Sequence, residues 1–86
     1  MNNDIRIVVL QRGWVLIGRF AQNGTQCTLA DASVIRRWGT TKGLGELFNG
    51  PTRDTILEKS NGIARFHELT VVLTIDCNHD AWDDKL

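Results

Sequence analysis

The stretch from Arg36 to Gly45, "RRWGTTKGLG", gathers cations, hydroxyls, an indole and glycines into ten residues. Guanidinium and ammonium groups form charge-assisted hydrogen bonds to phosphate. Glycine-rich backbone, and the N–H groups that open a helical turn, converge on anions. An indole beside an arginine stacks on a base or forms a cation–π pair. Together these residue types point to a phosphorylated, base-bearing ligand, and Arg36, Arg37, Trp38, Thr40, Thr41, Lys42 and Gly43 form the predicted ligand-binding set. On a regular strand Arg36 and Arg37 face apart, so Arg36 is the arginine that shares a face with Trp38. The spacing is not that of the GxxxxGK[ST] phosphate loop. The competing reading is therefore a glycine-rich connection whose unusual backbone angles serve packing alone.

Other chemistries find less support. His67-Glu68 is the one His–carboxylate neighbour pair within the expected fold. Adjacent strand residues face apart, so the pair makes no dyad by proximity, and His67 reads as a hydrogen-bonded structural residue. No nucleophile-elbow, HExxH or deaminase pattern occurs, and the chain is predicted not to be an enzyme. Cys27, His67, Cys77 and His79 lack the paired spacing of a zinc site, so neither metal nor other cofactor is expected. Cys27 and Cys77 read as free thiols of a reducing compartment. Trp14 heads an apolar strand and Trp82 sits in an acidic ending. Both are assigned to the core or to a protein interface, where tryptophan is a frequent anchor.

The elements that must position these residues are short and extended. Ile5–Leu10 and Trp14–Phe20 read as a hairpin turned at Gly13. Both faces of its second strand are largely apolar, as in a central strand or a closed barrel. Asn23-Gly24 is a strong two-residue turn signal. Strands follow at Gln26–Leu29 and Ser33–Trp38, with a bend or bulge at Ala30-Asp31-Ala32. Leu44–Phe48 forms one helical turn, and "NGPT" stops it. Thr55–Glu58 is a short strand and "KSNG" a turn. From Glu68 to Cys77 the alternation places Leu69, Val71, Leu73, Ile75 and Cys77 on one face, with a bend at His67. The fold class is mainly β: a small antiparallel barrel of SH3 or Sm-like shape, or a sandwich, with one short helical turn. Residues 1–78 form the domain, and 79–86 an acidic C-terminal tail tethered by Trp82 or partly disordered.

The whole chain, 86 residues with 42% apolar and 23% charged side chains, reads as one globular domain. So small a domain buries only about 60% of its unfolded surface, which makes a homo-oligomer the expected state. Ten Lys and Arg balance ten Asp and Glu. A neutral protein suits a local cationic pocket better than long nucleic acid, whose binding requires many neutralised phosphates. No apolar run is long enough to span a membrane and no signal peptide opens the sequence, so a cytosolic protein with no membrane partner is expected.

Four phrases, "VVLQRGWVLIGRF", "CTLADASVIRRWGTTKGLGEL", "NGPT" and "FHELTVVLTIDC", resemble in this order a family of small uncharacterised proteins from bacteriophages and prophages. The resemblance implies an accessory role in the cytoplasm of a bacterial host and transfers no catalytic residue. A second resemblance, carried by "VLIGRFAQNGTQCTLADA", is to the Sm-like barrels. It rests on Gly18, the Asn23-Gly24 turn, Leu29, Asp31 and Ala32, and implies barrel shape without that family's RNA site. The predicted function is a non-enzymatic phage accessory protein that binds a nucleotide or short nucleic acid such as RNA, for instance by sequestering a nucleotide signal of host defence. The alternative is a protein-interaction module that inhibits or recruits a host protein, using its tryptophans and acidic ending.

Overall fold

The computed structural model describes residues 4–86. Six strands form one antiparallel sheet: β1 (Asp4–Leu10), β2 (Trp14–Asn23), β3 (Gln26–Arg37), β4 (Ile56–Lys59), β5 (Ala64–His67) and β6 (Val71–Asp76). Their order is β4-β3-β2-β1-β6, and β5 lies beside the first half of β3. Three 3-10 turns, Gln11–Gly13, Leu44–Asn49 and Glu68–Thr70, and one helical turn, α1 (His79–Trp82), are the remaining elements among the described residues.

Chain connectivity forces this sheet to curl. In a flat sheet β5 and β6 would stand four strand spacings apart, about 19 Å. Only the turn Glu68–Thr70 joins them, and the path from His67 to Val71 reaches at most about 14 Å. The two sides of the sheet must therefore approach one another, although no hydrogen-bonded ladder joins them. The sheet is curled but not closed.

The local cause of curvature sits where the sequence places a bulge. Ile17 pairs with Ser33, but Arg19 pairs with Ala30, so Asp31 and Ala32 together oppose Gly18. Asp31 takes the left-handed region at φ 51. A Cβ on Gly18 would lie 2.9 Å from the Ala30 carbonyl oxygen and 3.2 Å from the Ala32 Cα. Only glycine lets the strands approach so closely, and the extra residues bend β3 and increase its twist. What reads in sequence as two strands around a bend is thus one long bulged strand.

Curling buries both faces of the hairpin. One face packs Val8, Leu16, Phe20, Cys27, Leu29 and Ala32 against Phe66 and Val71. The other packs Ile5, Ile7, Val15, Ile17 and Ile35 beneath Leu47 and Trp82. The expected alternation from Glu68 to Cys77 is broken early, because Leu69 lies in the 3-10 turn and is 77% exposed. His67 marks the bend as expected. Its Nδ1 accepts the Leu69 amide at 3.0 Å, and its carbonyl accepts the Thr70 hydroxyl at 2.7 Å.

Residues 79–86 are not a free tail. Asn78 caps α1 by accepting the Asp80 amide, and Trp82 is fully buried, donating its indole N–H to the Leu47 carbonyl at 2.7 Å. Asp83 pairs with Arg19 at 2.8 Å. Trp82 is thus a core residue whose ring no partner can reach, correcting its assignment to an interface. The apolar face of β1–β2–β3 needs a cover, and an indole with one satisfied N–H supplies it. Trp82→Ala is expected to destabilise the protein by about 3–5 kcal/mol, a large share of the stability of so small a domain. Trp82→Phe keeps most of the packing, loses the hydrogen bond, and costs about 1–2 kcal/mol. Urea unfolding of the two variants beside the wild type checks the ranking.

Candidate functional site

The predicted ligand-binding loop already holds an anion, and that anion is its own. One oxygen of the Glu46 carboxylate accepts the backbone N–H groups of Thr41 (3.1 Å) and Lys42 (2.9 Å), with the Thr41 hydroxyl at 3.4 Å. Gly43, at φ 98, turns the chain so that Glu46 folds back over it. The loop's other anchor is equally internal. Thr52 and Thr55 donate their hydroxyls to the carbonyls of Gly39 and Trp38, both at 2.6 Å. Gly39 stands at φ 67, and a Cβ there would fall 2.3 Å from the Asp54 carbonyl carbon. Gly39 and Gly43 thus meet real backbone demands, and the amides of Thr41 and Lys42 are spent on structure.

The seven predicted ligand residues do not form one site. Trp38 is 42% exposed, and no arginine stacks on it; the one cation–π contact among the described residues is Arg6 over Phe20, 4.8 Å from the ring centre. Arg37 stands opposite Ile56 on β4 and is exposed. Thr40 is half-buried, and Lys42 is exposed. Arg36 lines a cavity. A β-bulge in the pairing of β3 with β4 lies at Arg36, and its guanidinium meets the Glu58 carboxylate at 3.4 Å. Both groups are well exposed, so this pair contributes about 1 kcal/mol or less and opens readily.

The cavity, a shallow cleft of about 310 Å³, is lined by Arg12, Gly13, Trp14, Val15, Val34, Ile35 and Arg36. Strand register builds it. Leu16 pairs with Val34, and continuing that register brings Trp14 opposite Arg36. The turn Gln11–Gly13 then carries Arg12 to the mouth of the cleft. Trp14, assigned from sequence to core or interface, is 53% exposed here. Arg12 was not singled out by sequence reasoning. The only local signal was the "QRG" turn, and its position across from Arg36 depends on pairing far along the chain.

Arg12 also has an unusual backbone. It takes φ 69, followed by Gly13 at φ 81. The other non-glycine residues at positive φ are Asp31 and Asn61, types that tolerate this region, whereas arginine gains nothing from it. A strained arginine at a cleft is the kind of outlier from which a functional role is argued.

Nucleophilic thiols are disfavoured. Burial pushes the Cys77 thiol from 9.0 up to about 11, and burial followed by the Glu68 charge raises that of Cys27. Both therefore stay protonated near neutral pH. Among the described residues no three His, Cys, Asp or Glu side chains converge as metal ligands would. No helix among them is long and apolar enough to cross a membrane. No family model and no curated protein matches the chain.

Glu46→Ala removes the acceptor that closes the loop. The amide hydrogens of Thr41 and Lys42 are then expected to exchange with solvent at least about tenfold faster, as local opening becomes easier. The strand amides of β1 and β2 should keep their protection, which amide exchange read by NMR will establish.

Proposed function

We propose that this protein is a non-enzymatic binding protein for a phosphorylated, base-bearing ligand, a nucleotide or the end of a short nucleic acid, held in the cleft of Arg12, Trp14 and Arg36. The observation that carries the reading is a half-exposed indole in a small cleft bordered by two arginines. A base stacks on the indole face, a contact worth about 1–3 kcal/mol. Guanidinium groups then take the phosphates by charge-assisted hydrogen bonds. Arg36 changes partner from the Glu58 carboxylate to the ligand, exchanging one exposed anion for another. The overall charge of zero supports a small ligand over long duplex DNA, since only a local cationic patch is on offer.

The phrase-level resemblance to phage proteins supplies a context. In it the protein is a phage accessory factor in the cytoplasm of a bacterial host, sequestering a nucleotide signal of host defence. The second reading, a module that binds a host protein, draws on Trp38 and Ile56, which are 42% and 50% exposed and flank Arg37 at one end of β3.

Titration of the wild type with mononucleotides, cyclic dinucleotides and short RNA, read by tryptophan fluorescence at low salt, tests the proposal. At least one of these ligands is expected to quench the emission saturably. Trp14→Ala should weaken its binding about tenfold or more, and Arg36→Ala by a similar factor. Arg65→Ala, on the distant strand β5, should leave it unchanged. Arg12→Gly is diagnostic: it should weaken binding while leaving stability unchanged or raised by up to about 1 kcal/mol, because glycine removes the backbone strain. Absence of binding by all three ligand classes would refute the proposal.

A further inference from the structure

The sheet leaves β6 open in an unusual way. One edge of β6 pairs with β1 from Arg6 to Leu10, and no strand among the described residues lies beside the other. Such an edge displays unpaired N–H and C=O groups, and proteins ordinarily guard it with lysine, proline or a covering segment. The sequence of β6, Val71-Val72-Leu73-Thr74-Ile75-Asp76, has no lysine or proline and only one charge, at its far end. A bulge at its start, where Leu10 pairs with Val71 and Val9 with Leu73, leaves Val72 without a partner on β1. Val72 is 62% exposed and Leu73 46%, and the neighbouring Leu69 is 77% exposed. Val72 and Leu73 on an open ladder, with Leu69 just before it, are exposed apolar side chains suited to association rather than to water.

We infer that a second copy of this chain covers this edge, with β6 pairing antiparallel to β6 of its partner about a two-fold axis. The other open edges of the chain are poor matches. The exposed side chains of β5 are Arg65 and His67, and those of β4 are Ile56, Glu58 and Lys59. Only another β6 presents apolar side chains to Val72 and Leu73 and an equally unguarded ladder. An isologous contact also places the same patch on both sides, burying Val72 and Leu73 of both copies at the centre with one Leu69 at each end of the ladder. Charge permits it. In a register centred on Leu73, Leu73 meets Leu73 of the other copy and Asp76 stands opposite its Thr70, never a second Asp76, so no like charges stand opposed. Asp76 keeps Arg6 at 3.5 Å within its own chain.

The contact is independent of the proposed ligand and is tested without it. Sedimentation equilibrium of the wild type from about 1 to 200 μM should report a dimer. Val72→Lys and Leu73→Lys each insert a charge into the interface and should weaken self-association about 100-fold or more. Both side chains are substantially exposed in the single chain, so both variants should keep the wild-type circular dichroism spectrum. Leu69→Lys is a third variant in case either fails to fold. A wild type that stays monomeric at 200 μM would overturn the inference. So would a closed ring of three or more copies, which requires unlike edges to meet, or a dimer indifferent to all three lysines.

Discussion

The structure depends on one close approach. Gly18 lies so near the β3 backbone that a single methyl group would collide with the Ala30 carbonyl. That approach accommodates two residues of β3 against one of β2, and its first consequence is curvature. Its second is register. Before the bulge Arg19 pairs with Ala30; after it Leu16 pairs with Val34. Without the extra residue Trp14 would stand opposite Ile35. With it, Trp14 stands opposite Arg36, and an apolar contact becomes an aromatic–cationic cleft. A one-residue change in pairing reassigns every later side chain to the other face, so a fold-level irregularity decides the chemistry at the far end of the hairpin.

Curvature also explains how so short a chain makes two cores. The concave face is filled by its own strands and by Phe66, and the opposite face would be bare without additional cover. The segment from Leu44 to Asn49 contributes Leu47, and the last residues contribute Trp82. The glycine-rich loop exists to bring Leu47 there. It leaves the end of β3, is pinned to Thr52 and Thr55, and is closed by Glu46. Its resemblance to an anion site is physically apt, since its amides do bind a carboxylate. The small domain thereby covers both faces of its sheet from within.

Much of the fold was legible because it is written in local signals. Apolar, β-branched runs located β1 and β2, and alternation with period two located β6. The Asn23-Gly24 signal lay one residue early, since the turn is Gly24-Thr25 with Asn23 paired to Gln26; Ala30-Asp31-Ala32 marked the bulge, and His67 marked the bend before β6. The site was less legible for a physical reason. Arg36 and Trp38 are neighbours in sequence, so local reasoning joined them. The indole that shares a cleft with Arg36 is Trp14, 22 positions away, and finding it requires the β2–β3 register including the bulge. Glu46 was visible as a carboxylate four residues after Lys42, but nothing local distinguishes a loop that binds its own acid from one awaiting a ligand. The closing residues misled because their composition is acidic. A single buried indole outweighs several solvated carboxylates in deciding whether a segment docks.

The central claim is that phosphorylated, base-bearing ligands meet the protein at Trp14 and Arg36 rather than at the glycine-rich loop. The most direct measurement is an NMR titration of nitrogen-labelled protein with the tightest-binding nucleotide, following the indole and backbone N–H signals together. The account predicts that the Trp14 indole signal and the amides around Arg12 and Arg36 move. The Trp82 indole, held by Leu47, and the Thr41 and Lys42 amides, held by Glu46, should stay in place. Movement of the Thr41 and Lys42 amides with Trp14 unaffected would contradict it.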